Sequence, residues 1–309
     1  MRRTRLWILA SAAVVIVGGG TLIGLGMSGD DDGGSGGGLA LSFGGGKPKA
    51  TAAPSPTGPS PEELARAERA ARAKKLDTAL KQIAASAPEF SVAVLDKKTG
   101  ERYSYRGTER YDTASIVKVQ VLACMLLKSQ DAGRDPSASE MSLAKPMIRL
   151  SDNNATTSLF QRLGGRTAIG RCNKRLGLTQ TTVNTAWGLT RTTVNDQVKL
   201  LSELVDTKGP LDAGSRKTAF TLMSTVDQSQ DWGVPAVALD TEKATVKNGW
   251  DTRSADGGLW AVNTIGRVIA TGDGADVSVA VLSHNNASME AGIKLVEKVA
   301  KTTRKYLKY

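Results

Sequence analysis

From Ala114 to Leu127 the chain reads ASIVKVQVLACMLL, nearly all of it apolar, which predicts a helix buried on every side. Ser115 and Lys118 interrupt it. Three residues apart, they fall on one flank of the helix about 4.5 Å apart along its axis, with Ser115 in the first turn. A lysine enclosed in a buried helix is rare without a partner or a task. Desolvation lowers its pKa, by up to about 3 to 5 units when burial is complete, and a neutral amine beside a hydroxyl is a general base beside a nucleophile. The helix N-terminus adds main-chain N–H donors where an oxyanion would develop. The chemistry open to such a pair is covalent capture of a carbonyl carbon.

Ser-x-x-Lys alone is a weak signal, because chance supplies about one copy in a chain of this size. A second copy exists at Ser142-Leu143-Ala144-Lys145, where Pro146 is expected to turn Lys145 away from helix and the surroundings are more polar, so Ser115 is the candidate. Two further clusters support it. Ser151-Asp152-Asn153 precedes the helical run Ala155 to Leu163, and by itself reads first as a helix N-cap. Lys247-Asn248-Gly249-Trp250 lies on a strand bounded by polar segments, and by itself is a half-exposed strand lysine beside a bulge-prone glycine.

Positioning these residues requires a scaffold, and residues 61–309 predict one α/β unit without internal repeats. Ser60-Pro61-Glu62-Glu63 is a capping box with proline at the first helical position, opening an Ala-rich helix that runs past Lys81. Glu89 to Asp96 and Glu101 to Tyr105, joined by Lys97-Lys98-Thr99-Gly100, read as a hairpin. Residues 114–208 read as mostly helical with Gly-punctuated breaks. Strand-like runs return at Ala244 to Trp250, Leu259 to Thr264 and Val277 to Ser283, and a basic amphipathic helix closes the chain from about Asn286. Strands at both ends of the unit with terminal helices free to cover one face imply an antiparallel sheet flanked by helices.

In the order S-x-x-K, S-D-N, K-x-G, the three clusters together resemble the penicillin-recognising serine hydrolases, most closely class A β-lactamases and the DD-peptidases that share their fold. The resemblance spans residues 61–309 and rests on YDTASIVK at Tyr111 to Lys118, LSDNNA at Leu150 to Ala155 and VKNGW at Val246 to Trp250. It implies the α/β (α+β) fold of that group, an antiparallel sheet with terminal helices and a mostly helical insert. By the same resemblance Ser115 is the acylated nucleophile and Lys118 its base. Ser151 relays a proton to the leaving nitrogen, Asn153 binds the substrate amide, and Lys247 polarises Ser151 and attracts the substrate carboxylate. Asn248, Gly249 and Trp250 line the substrate, and the N–H groups of Ser115 and Trp250 form the oxyanion hole. A literal K-T-G at Lys98-Thr99-Gly100 lies upstream of Ser115, and its position rules it out.

Three departures qualify that likeness. Class A β-lactamases carry a water-activating glutamate in an Ω-shaped loop after S-D-N, whereas residues 154–195 here contain no Asp or Glu, and the first acid is Asp196. A missing general base typically costs about 10² to 10⁴ in rate, which disfavours rapid penicillin turnover. Asn248 stands where the family has Thr or Ser. The 35 positions between Ser115 and Ser151 suggest a trimmed helical region.

The whole chain has 309 residues, with 41 Lys and Arg against 30 Asp and Glu. Its single histidine, His284, and two cysteines, Cys124 and Cys172, exclude zinc and iron–sulfur sites of the usual ligand count, and no metal or cofactor is expected. His284 sits in a Ser-His-Asn-Asn turn and reads as a surface residue. Arg2, Arg3 and Arg5 precede an uncharged run over residues 6–27, about 33 Å as a helix, so residues 1–28 read as a signal anchor or a cleaved signal peptide that exports the rest. Residues 29–60, rich in Gly, Ser and Pro, read as a disordered tether. Residues 61–309 carry a net +9, which suits anionic wall polymers or lipid headgroups, while nucleic acid is disfavoured by compartment. In that oxidising setting Cys124 and Cys172 could be bridged, or Cys124 could be a small apolar core residue. Trp187, Trp232 and Trp250 could line a cleft, although core packing is their more usual role. The expected protein is a membrane-associated or secreted monomer acting on β-lactams or peptidoglycan stem peptides. The alternatives are a D-alanyl-D-alanine peptidase or esterase with slow β-lactam turnover, or a non-catalytic module that binds cell-wall peptides.

Overall fold

The capping box at Ser60 forms as read: its hydroxyl accepts from Glu63 N, the Glu63 carboxylate accepts from Ser60 N at 2.7 Å, and helix α1 runs over Pro61–Ala84. The computed structural model describes residues 58–272 and 274–309. The segment 1–28 expected to direct export, and residues 29–57 of the expected tether, lie outside the described residues. Among those described, no helix is long and apolar enough to cross a membrane.

Strands β1 (Phe90–Asp96) and β2 (Arg102–Tyr105) form the expected hairpin. The two-residue β3 (Tyr111–Asp112) leads into the helical insert: α2 (Val117–Asp131), α3 (Ala138–Arg149), α4 (Asn153–Leu163) and α5 (Gly165–Arg175). After the short β4 (Arg191–Thr192), which pairs with β3, come α6 (Val194–Glu203) and α7 (Ala213–Met223). Strands β5 (Glu242–Thr252), β6 (Trp260–Ala270) and β7 (Asp276–Asn286) follow, and α8 (Met289–Leu307) closes the chain. The main sheet has the order β2-β1-β7-β6-β5 with every pair antiparallel.

Period-2 alternation divides this sheet between two cores. Val92 and Val94 of β1 and Val279 and Val281 of β7 face one side, where they pack with Leu76 and Leu80 of α1 and Val296 and Val299 of α8. Ala93, Leu95, Ala280 and Leu282 face the other, packing against α2 and its helical neighbours. Each fully buried Val or Leu contributes about 1.5 to 3 kcal/mol, so the sheet is held from both faces. Helix α2 is enclosed almost throughout, as its composition requires.

The C-terminal strands run longer than expected, at 11 residues each. Polar residues that resemble strand ends continue the ladder because they find partners inside it: Arg267 holds Asp276 through two bonds of 2.6 and 2.7 Å, and Arg267 N donates to Thr245 Oγ1. Asn286 likewise stays on β7, donating to Trp260 O, so α8 begins only after Ser288. Pro146 does not break α3. Lys145 is helical and exposed, as is Ser142, so the second Ser-x-x-Lys copy faces solvent in a regular helix. Cys124 and Cys172 are bridged, with Cα atoms 5.8 Å apart, tying α2 to α5.

Candidate active site

Ser115 does not begin a regular α-helix. It lies in a 3₁₀ turn, Ala114–Ile116, that feeds α2. The turn is anchored on both flanks. Thr113 N donates to Thr190 O at 2.8 Å, and Asn263 Nδ2 reaches Asp112 O and Thr113 O at 2.9 and 3.1 Å. The buried Asp112 carboxylate is paired with Arg253 and Arg191. Ala114 is held at φ +45°, a left-handed conformation that a non-glycine residue adopts at a cost of about 1 to 3 kcal/mol. Within Tyr111 to Leu127 only Ser115 escapes full burial, so the turn presents its hydroxyl and little else.

Lys118, one turn on, is wholly buried, and its Nζ lies 2.7 Å from Ser115 Oγ. The same nitrogen donates to Ser151 O at 2.7 Å, Ser151 Oγ at 3.0 Å and Asn153 Oδ1 at 2.8 Å. Ser151, held at φ +59°, turns both its oxygens to this nitrogen. Asp152 between them caps α4, accepting from Ala155 N at 2.7 Å. The capping and the chemical readings of Ser151-Asp152-Asn153 therefore describe one structure: Asp152 holds the helix, and its neighbours turn to the lysine. From β5, Lys247 Nζ reaches Ser151 Oγ at 2.9 Å and Asn248 O at 2.8 Å, so the Ser151 hydroxyl lies between two buried amines.

Burial pushes the Lys118 amine down to about 7, with the Asp152 carboxylate pulling weakly the other way. Burial, and then the Lys118 charge, hold Lys247 well below the usual lysine range. Near neutrality Lys118 is therefore substantially an uncharged amine. In that form its two hydrogens suit Ser151 O and Asn153 Oδ1, while its lone pair accepts from the Ser115 hydroxyl. This arrangement can deprotonate Ser115 and carry a proton on through Ser151.

Gly249 explains how β5 comes so close. A Cβ there would sit 2.8 Å from Ser115 N, Ile116 N and Thr113 O, so only glycine lets this edge strand lie against the Ser115 turn. The expectation for Asn248 needs correction. Strand alternation turns its side chain away from the face that carries Lys247, and its Nδ2 donates to Gln230 O at 2.8 Å and Trp232 O at 2.9 Å. It fixes the preceding loop and does not line the cleft. Trp250 does line it, with Ser115, Asn153, Trp187 and Asp251, around a volume of about 410 Å³. A larger groove of about 550 Å³ between α1 and the C-terminus contains none of these residues.

Sequence reasoning left Trp187 open between cleft and core, and missed Asp251. Trp187, read chiefly as a core residue, stands over Lys118 with the amine 5.0 Å from its ring centroid. Asp251 is an exposed carboxylate at the mouth, placed there by the same alternation that directs Lys247 inward. Asp196, the first acid after S-D-N, is buried elsewhere. It accepts from Gln180 N and Thr181 Oγ1 at 2.9 and 2.6 Å and so ties down the loop rather than lining the cleft. His284 is half-buried against Tyr111 and 3.9 Å from Glu89, also outside the cleft.

The sequence model of the β-lactamase enzyme family matches residues 72–139 and 126–307. The chain belongs to that family. The fold agrees with solved members: an ancestral class A β-lactamase reconstructed for Gram-negative bacteria has a TM-score of 0.64 at 22% identity, covering 74% of this chain and 99% of that one. PBP-A gives a TM-score of 0.64 at 17% identity, covering 75% of this chain and 95% of that structure. In sequence, the lipoprotein-named LppW of Mycobacterium tuberculosis is 28% identical over 177 residues, 55% of this chain and 56% of LppW. β-Lactamase ROB-1 of Haemophilus influenzae is 26% identical over 163 residues, 46% of this chain and 52% of ROB-1. The chain thus spans about half the length of these curated relatives.

Proposed function

We propose that this family member is an exported serine acyl hydrolase that forms an ester on Ser115 with β-lactams or D-alanyl cell-wall peptides and releases it slowly. One observation carries this reading: a buried amine poised near neutrality lies 2.7 Å from the Ser115 hydroxyl and shares Ser151 with Lys247. Lys118 takes the Ser115 proton as Oγ attacks the carbonyl carbon, and the C–N bond breaks as Ser151 passes its own proton to the leaving nitrogen. Ser151 recovers a proton from Lys118, which closes the balance for acylation. Lys247 Nζ donates to Ser151 Oγ and orients that hydroxyl for the relay, and Asn153 offers its amide at the cleft. The N–H groups of Ser115, beside Gly249, and of Trp250 are the donors for the oxyanion, each worth about 2.7 to 4 kcal/mol of barrier in other enzymes.

A second reading, a D-alanyl-D-alanine peptidase or esterase with slow β-lactam turnover, is favoured by the acid-free segment 154–195. The Arg-led apolar N-terminus and the lipoprotein name of a relative support export and membrane association. The test is to incubate the full chain in detergent with benzylpenicillin and follow its intact mass. A persistent adduct absent from Ser115→Ala supports slow-release acylation, and fast drug loss supports a true β-lactamase. With neither, the hydrolase reading fails and a binding module remains.

A further inference from the structure

Trp187 occupies the acid-free segment at the point where that segment meets the nucleophile. It opens a short 3₁₀ turn, Trp187–Leu189, packed against the turn that carries Ser115. Gly188 O accepts from Thr113 Oγ1 at 3.3 Å, and Thr190 O accepts from Thr113 N at 2.8 Å, so the two turns are joined by hydrogen bonds. The indole is anchored at its far end, where Nε1 donates to Thr157 Oγ1 on α4 at 3.1 Å. The ring therefore bridges from the Ser115 turn to the helix that begins at Asn153, over the Lys118 amine.

We propose that Trp187 is a positioning residue that lengthens the life of the Ser115 ester by excluding the hydrolytic water. The inference rests on the acylation reading above and adds a cause for slow release. Hydrolysis requires a water whose oxygen bonds to the ester carbon as its proton passes to Lys118, and whose attack breaks the bond to Ser115 Oγ, which takes that proton back from Lys118 as the acid product leaves. A water held for that attack needs two to four polar partners. On this flank the indole presents a carbon face, and its single N–H is already committed to Thr157. The Lys118 nitrogen, the base that could activate the water, lies beneath the same ring.

The experiment follows acylation and ester loss by intact mass after a benzylpenicillin pulse, in native protein, Trp187→Ala, Trp187→Phe and Thr157→Val. Trp187→Ala is expected to speed ester loss at least tenfold without a matching rise in acylation. Trp187→Phe, which keeps an aromatic cover but loses the N–H that anchors it, should shorten the ester's life no more than about fivefold. Thr157→Val removes only the anchor and should shorten the ester's life about two- to fivefold, and it carries the test should Trp187→Ala not fold. An ester equally persistent in Trp187→Ala, or in Thr157→Val if the alanine variant is unfolded, overturns the inference while leaving acylation intact. Absence of any adduct in native protein overturns the acylation reading and this inference with it.

Discussion

Acylation of Ser115 should follow the loss of one proton with a midpoint near pH 7, because in the proposed mechanism the amine that accepts the serine proton is Lys118, held at about 7 by burial. With that midpoint, about 9% of the amine is free at pH 6 and about 91% at pH 8, so the acylation rate should rise roughly tenfold across the interval and then level. Asp152→Asn gives the sharper perturbation. The Asp152 carboxylate favours the ammonium form of Lys118, and removing its charge should move the midpoint to lower pH. Asn caps helices about as well as Asp, so α4 should keep its start and the variant should remain folded. The assay is quenched-flow labelling by benzylpenicillin from pH 5.5 to 9, read by mass. A flat profile between pH 6 and 8, or a midpoint that rises in Asp152→Asn, would refute Lys118 as the base.

Three further outcomes follow from the same geometry. The lowered Lys118 pKa destabilises the fold below about pH 7 and ceases to do so as pH approaches 10.5, because over that window the unfolded chain binds a proton that the native state has released. The stability of native protein relative to Lys118→Met should therefore rise by about 2 kcal/mol from pH 7 to 9 in urea titrations, while acylation is lost in the variant at every pH. Gly249→Ala places a methyl group against Ser115 N, Ile116 N and Thr113 O and should slow acylation at least a hundredfold, about 2.7 kcal/mol, measured by the same labelling. Replacing both Cys124 and Cys172 with Ser opens a loop of 48 residues and should lower stability by up to about 4 kcal/mol in denaturant titrations. Ser115 labelling should persist where that variant remains folded.

The pairing of Ser115 with Lys118 was legible in the sequence because an i to i+3 spacing on a helix is a local property, and enclosure of that helix is written in its apolar composition. The hairpin, the capping box at Ser60 and the α/β class were readable for the same reason. Strand ends were not, since Arg267 and Asp276 look like loop residues until each is the other's partner within the ladder. Asn248 was misassigned by motif position although period-2 alternation already opposed it to Lys247.

The sequence by itself determined which groups were available: one hydroxyl beside one enclosed lysine, a capping Ser-Asp-Asn, a strand lysine, and no acid between residues 154 and 195. Tertiary structure alone decided that Ser151 Oγ lies 3.0 Å from Lys118 Nζ and 2.9 Å from Lys247 Nζ, and that the Trp187 ring covers the amine. The reason is physical. Local spacing constrains residues a turn apart, whereas groups separated by long stretches of chain meet only when the sheet and helices bury their apolar faces together, and that burial also lowers the lysine pKa.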